Sequence, residues 1–310
     1  MIEQRELAEI YKSIEPYIRL GQNGVTANMH YEVALKAALA KTFDFNAYVS
    51  SVESSSHSFY HTATLRGICE DIIVLKAFLA FPAKDRFELI AQTQMTGVYE
   101  SLKSQYAFFK ANRPGQPVLG NKDAEKAEKT EKDKLLKLYG RLGFINLKGK
   151  PFIPSVRALA KKAGLLDVYD FFYSATSKWV HFSPQILMRM GWAPDANPSS
   201  TFTFSTASFS NYYAGFNAVF GAYLFALFYD CFATELRIDP MVGTYVAELR
   251  AYLNDLTRWP EVVTFEEMNI ERPNMIFYAA MKLVAEQEAE KLKQGAINNA
   301  PIPDVADNSE

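Results

Sequence analysis

The side chains best suited to chemistry lie on two apolar stretches that read as helices. Residues 65–81, LRGICEDIIVLKAFLAF, carry Arg66, Glu70 and Asp71. Residues 169–184, YDFFYSATSKWVHFSP, carry Tyr169, Tyr173, Ser177 and His181. Arg66 and Glu70 are four residues apart, so they share one helix face. A guanidinium there can fork onto a phosphate or carboxylate while the glutamate orients it. Tyr169, Tyr173, Ser177 and His181 form an i, i+4 row of hydroxyls that ends in an imidazole. Imidazole changes charge near neutral pH and can act as general base or acid. Polar groups on segments this apolar cost free energy unless they are partnered. Each row is therefore either part of a site or a structural network: an Arg–Glu pair anchoring helices, and a histidine satisfied near a helix end.

Other constellations carry less. His57 and His61 have the i, i+4 spacing of metal ligands, but no third ligand accompanies them, so no metal is expected. Ser174 or Ser177 with His181 lacks a visible acid and a Gly-rich elbow, which argues against acyl transfer. No GxGxxG, Walker A, HExxH or GxSxG motif occurs, and no cofactor is expected. Cys69 and Cys231 fall in apolar helical sequence without CxxC or Cys–His spacing. They read as buried thiols in a reducing compartment.

The elements that must position these residues are almost all helical. Helical apolar periodicity predicts helices over 2–19, 28–50, 57–81, 84–111, 155–163, 166–182, 207–236, 241–257 and 274–293. Pro16 should kink or shorten the first, Ser54–Ser56 offer an N-cap to the third, and Pro82 ends it. Gly164 splits 155–163 from 166–182, and Pro184 stops the latter. Residues 121–137 are almost wholly charged with the signs mixed, which reads as a solvated, salt-bridged helix or excursion rather than an interaction arm. TFTFSTASF, 201–209, is the one alternating stretch and can supply a short extended segment. Thr264 with Glu267 has capping-box spacing. Strands do not alternate with helices, which argues against a doubly wound sheet. The expected fold is all-α, a bundle of about eight to ten helices forming one domain over residues 1–293, followed by a disordered tail, 294–310.

Composition bounds the setting. The 310 residues are 49% apolar and 14% aromatic, enough for a sizeable core. The net charge of −2 and pI of about 6.2 provide no global basic field, so any nucleic-acid contact must use a local patch. The charged N-terminus lacks a signal core. FNAVFGAYLFALFYDCF, 216–232, is too short between Asn217 and Asp230 for a span and reads as a core helix, so no membrane is expected and the cytoplasm is the expected setting.

The two polar segments resemble a bacterial and archaeal helical family, domain-of-unknown-function family 5677. Its members are similar in an L-R-x3-E helix, here Leu65-Arg66…Glu70, and a later Y-S-x6-H helix, here Tyr173-Ser174…His181. The similarity extends over roughly residues 30–235, and the family implies no settled activity. More distantly the chain is similar to HEPN ribonucleases, small helical proteins of toxin and phage-defence systems that cleave RNA without metal through an Arg and a His. That likeness implies Arg66 on phosphate and His181 as base. The sequence departs from the HEPN order: no Arg lies within seven residues before His181, and the nearest cation is Lys178. The expected site is a polar pocket between helices 57–81 and 166–182, with Arg66 and His181 catalytic and Glu70, Tyr173 and Ser177 binding substrate. The expected ligand is RNA or a small anion. The alternative is a non-catalytic ligand-binding or protein-interaction module, partnered by a second copy or another protein, whose polar rows are structural.

Overall fold

The computed structural model describes residues 2–21, 24, 29–52, 57–119, 123–192, 201, 203–264, 268 and 283–288. Ten helices and one two-stranded ribbon are bounded among them. In chain order they are α1 (Ile2–Ile18), α2 (His30–Ser51), α3 (Ser58–Leu79), α4 (Ala83–Asn112), α5 (Asp123–Arg141), α6 (Val156–Ala163), α7 (Leu166–Val180), α8 (Pro184–Met188), β1 (Gly191–Trp192), β2 (Thr203–Phe204), α9 (Ser210–Leu236) and α10 (Pro240–Asp255). Residues 283–288 are also helical. The fold is all-α, as the periodicity predicts. The alternating stretch supplies β2, which pairs antiparallel with β1.

The chain forms two compact units, Met1–Leu253 and Asn254–Glu310. In the second, Arg258 pairs with Glu261. The Thr264–Glu267 capping box, most of the helix expected over 274–293, the tail and the Ser54–Ser56 cap lie outside the described residues. The residue before α3 is His57, which makes no side-chain cap.

The first unit is built around α3 and α9. α9 is apolar on every side, so no single stripe faces a core. Phe216, Leu224, Phe228 and Phe232 are all fully buried, as expected when a helix has no polar face to offer water. It alone among the described helices is long and apolar enough to cross a membrane, yet most of it is buried inside the fold. α3 packs on α9, α7, α6 and α2, and α9 also packs on α2. The α2–α9 approach is close because residue 221 is glycine: a Cβ there would stand 2.5 Å from Asn46 Oδ1 and 2.9 Å from Phe45. Asn46 is held by Tyr11, whose hydroxyl donates to Oδ1 at 3.1 Å, tying α1 to the same junction.

α6 and α7 form a helical hairpin with recognisable punctuation. Ser155 Oγ accepts the Ala158 amide at 3.3 Å at the start of α6. Gly164, at φ 72°, occupies the left-handed position beyond its end, which a Cβ would disfavour. α7 buries Val168, Phe172, Ala175 and Thr176. Phe172 meets Phe220 and Tyr223 of α9. α7 runs back along α3: Arg66 meets Tyr173, while Phe59 near the start of α3 and Trp179 near the end of α7 both contact Tyr213.

α4 and α5 pair mainly with each other. Only Leu89 and Thr96 of the thirty residues of α4 are buried. The charged stretch of α5 is a helix clamped by ion pairs. Lys132 Nζ reaches Glu100 at 2.7 Å and Glu128 at 2.8 Å, Lys103 reaches Glu128 at 3.2 Å, and Arg141 reaches Asp85 and Glu88. Lys132 first, then Lys103, holds the Glu128 carboxyl below its usual range.

Candidate functional site

α3 projects Arg66 and Glu70 from one edge while burying Leu65, Ile68, Cys69 and Ile72. The pair thus stands where the core meets solvent, with side chains 23% and 30% exposed. Arg66 Nε donates to Glu70 Oε1 at 2.8 Å. The guanidinium lies over the Tyr173 ring, 4.8 Å from its centroid, at the distance of a cation–π contact. Tyr173 stacks on Tyr169, centroids 5.5 Å apart and planes at 29°. The i, i+4 spacing on each helix therefore becomes one cluster across the α3–α7 contact: carboxylate, guanidinium and two phenols.

The electrostatics of the cluster are consistent. The Glu70 hydrogen bond raises the Arg66 guanidinium further above its ordinary value, so Arg66 remains a cation. Burial, followed by the nearby Glu70 charge, raises the Tyr169 phenol. Cys69, on the inner side of α3, is pushed up to about 12 by burial and is a thiol at neutral pH, not a nucleophile. Among the described residues, Glu70 is the one hydrogen-bond partner of Arg66, through Nε. The two terminal nitrogens can still present a fork to an anion.

Arg66, Glu70 and Tyr173 are thus brought together. Ser177, one turn beyond Tyr173, is half-buried, and its carbonyl accepts the His181 amide at 3.0 Å. His181 is the first residue past α7, with extended backbone, and is exposed. It stands eight positions beyond Tyr173, about 12 Å along a helix axis. No hydrogen bond or ring contact joins it to Arg66 among the described residues. Asp71 faces away and pairs with Lys41 at 2.7 Å. Asp170 is taken by Arg157 through two bonds of 2.9 Å.

His57 and His61 stay apart from this cluster. His61 packs edge-on to Tyr48, centroids 4.9 Å apart, with Nε2 buried and without a hydrogen-bond partner among the described residues. Among the described residues no group of three or more His, Cys, Asp or Glu could hold a metal ion. Cys69 is buried and Cys231 half-buried, and both are free.

Residue chemistry alone left Tyr169 out of the site, although its place in the i, i+4 row was the available signal. Two neighbours of His181 were also passed over. Lys178 Nζ hydrogen-bonds Gln185 Oε1 at 2.6 Å, and the Phe182 side chain is almost fully in water.

The protein is thus an all-α bundle bearing a cationic–aromatic ridge between α3 and α7. Residues 56–198 match the model of a family of unknown function (DUF5677), which supports the resemblance drawn from the two polar helices. The match covers α3 to α8 and β1. It is narrower than the 30–235 expected and omits α9, the helix against which this scaffold packs. No curated protein and no solved structure matches the chain.

Proposed function

We propose that the protein binds single-stranded RNA along the α3–α7 ridge and cleaves it without metal. One observation carries this reading. Arg66 is a permanently charged guanidinium, held in place by Glu70 and the face of Tyr173, partly open to solvent, with both terminal nitrogens unbonded among the described residues. Such a group is pre-positioned for a phosphodiester, because its geometry is fixed before the ligand arrives. His181, exposed just past the end of α7, supplies the base. It takes the proton of a ribose 2′-hydroxyl, the 2′-oxygen attacks the adjacent phosphorus, and the P–O5′ bond breaks. The products are a 2′,3′-cyclic phosphate and a 5′-hydroxyl, the leaving oxygen being protonated by the imidazolium or water. By analogy with HEPN proteins, the setting is the cytoplasm and the role that of a defence or toxin effector.

A second reading has its own support. The Glu70–Arg66–Tyr173 contact also ties α3 to α7, and an anion site with that structural duty need not be catalytic. RNA incubated with purified protein in excess EDTA separates the two. Cleavage ending in cyclic phosphate, lost in His181→Ala and Arg66→Ala with melting temperature retained, supports the nuclease. Binding without cleavage leaves an anion-binding module. Absence of both removes RNA as the ligand.

A further inference from the structure

The aromatic rings of α7 are not equally available. Tyr173 carries Arg66 and Tyr169. Phe171 leans on Phe172 and Phe220, and Phe172 is buried. Trp179 packs against Tyr213 and Phe216. Phe182, one residue beyond His181, is 86% exposed and makes no ring contact among the described residues. An exposed phenylalanine forgoes roughly 1.5–3 kcal/mol of burial. Single exposed apolar side chains are common, so exposure alone decides nothing. What distinguishes this one is its surroundings.

The cations near α7 are also unequal. Arg66 is neutralised by Glu70 and Arg157 by Asp170. Lys178, the one cation within α7, has no carboxylate partner among the described residues, and its hydrogen bond goes to the neutral amide of Gln185 on α8. That bond holds the ammonium at the turn between the two helices. Lys178 lies in the last turn of α7, and His181 follows three positions later, tied to that turn by its amide, which donates to the Ser177 carbonyl at 3.0 Å. Five residues therefore bring together an uncompensated cation, an exposed imidazole and an open aromatic face. Cations track a nucleic-acid backbone while aromatic faces stack on bases.

We propose that the α7–α8 corner, Lys178, His181 and Phe182, seats one nucleotide of a single-stranded RNA, with Lys178 against the phosphate and Phe182 stacked on the base. This deepens the ribonuclease reading and rests on it. It assigns the phosphate beside His181 to Lys178, and leaves Arg66 to a phosphate further along the strand. Gln185 is a positioning residue that aims Lys178.

The test is fluorescence anisotropy of the full-length protein with a 2′-O-methyl oligouridylate, which cannot be cleaved, over a salt series. Phe182→Ala is expected to weaken binding roughly 5- to 150-fold, the effect of losing one base–aromatic stack. Phe182→Trp should retain it. Lys178→Gln should lower the slope of log affinity against log salt by about 0.7, the contribution of one phosphate contact on a single strand. A purely structural role would not move that slope. If the wild type binds and Arg66→Gln weakens it, while Phe182→Ala and Lys178→Gln change nothing, the corner is overturned and the ridge stands. Equal loss in Phe182→Ala and Phe182→Trp overturns stacking as the contact. Failure of the wild type to bind at all overturns both the corner and the ribonuclease reading.

Discussion

The two ends of α7 differ in kind. At its N-terminal half Tyr169 and Tyr173 are stacked on each other, and Arg66, itself bonded to Glu70, lies over the Tyr173 ring, so these side chains form one contacting cluster. At its C-terminal end Lys178 is bonded, among the described residues, to the amide of Gln185, and His181 and Phe182 face solvent. Both ends look equally polar in sequence. The difference teaches that a contacting polar cluster and an exposed corner can share one helix, the first joining the helix to α3 and the second standing open to solvent. Between them runs the buried face of α7, which belongs to neither.

That buried face offers the largest expected effect. Phe172→Ala removes a ring that is 2% exposed and packed on Phe220 and Tyr223. A loss of about 3–5 kcal/mol is expected in urea unfolding. A loss below about 1 kcal/mol would mean that α7 is not anchored through α9 and would undo the contrast between its two ends.

A smaller effect is expected from pH, and at the opposite edge of α3. Burial, with His57 adding to it, lowers the His61 pKa in the folded protein, while the unfolded value is about 6.5. His61 is therefore bound neutral, and the unfolded chain takes up the proton first. Its contribution is complete above the unfolded value and declines as pH falls through that value toward the lower folded one. Melting temperature should drop over that interval in the wild type, and His61→Gln should flatten the drop. The same slope in both proteins would assign the acid sensitivity elsewhere.

The locked end should respond modestly. Arg66→Ala and Glu70→Ala are each expected to cost on the order of 0.5–1 kcal/mol, because the pair is partly exposed and screened. The double mutant should cost less than the sum, since one contact is removed twice. Strict additivity would show that the pair and the Tyr173 contact are not one unit.

The open end should barely register in stability. His181→Ala lies outside the helix on an exposed side chain, and a change within about 0.5 kcal/mol is expected, together with loss of RNA cleavage. A fall of several degrees in melting temperature would move His181 from the open end to the structural one.

Much of this arrangement is legible in the sequence. The apolar periodicity of 57–81 and 166–182 appears as α3 and α7, and Gly164 and Pro82 punctuate the chain where their backbone preferences require. The charged run of 121–137 appears as α5, ion-paired along its length. The Arg66–Glu70 contact follows from i, i+4 spacing alone. Less was legible where the answer depends on contacts between helices. Tyr173 could be placed in a row but not under Arg66. Asp71 looked like a companion of Glu70 until Lys41 of α2 took it. That Phe182, just past α7, makes no ring contact among the described residues while the rings of α7 do is visible only in the structure.

Local sequence determined that this chain is helical, where its longer helices lie to within a few residues, and which polar residues share a face, because spacing along a helix is fixed by backbone geometry within a few residues. Tertiary structure decided that α3 and α7 meet, that Arg66 rests on Tyr173, and that the other end of α7 stays open. Those outcomes depend on how α9, apolar on all sides, is enclosed by its neighbours. No spacing rule encodes the packing of side chains that lie a hundred residues apart.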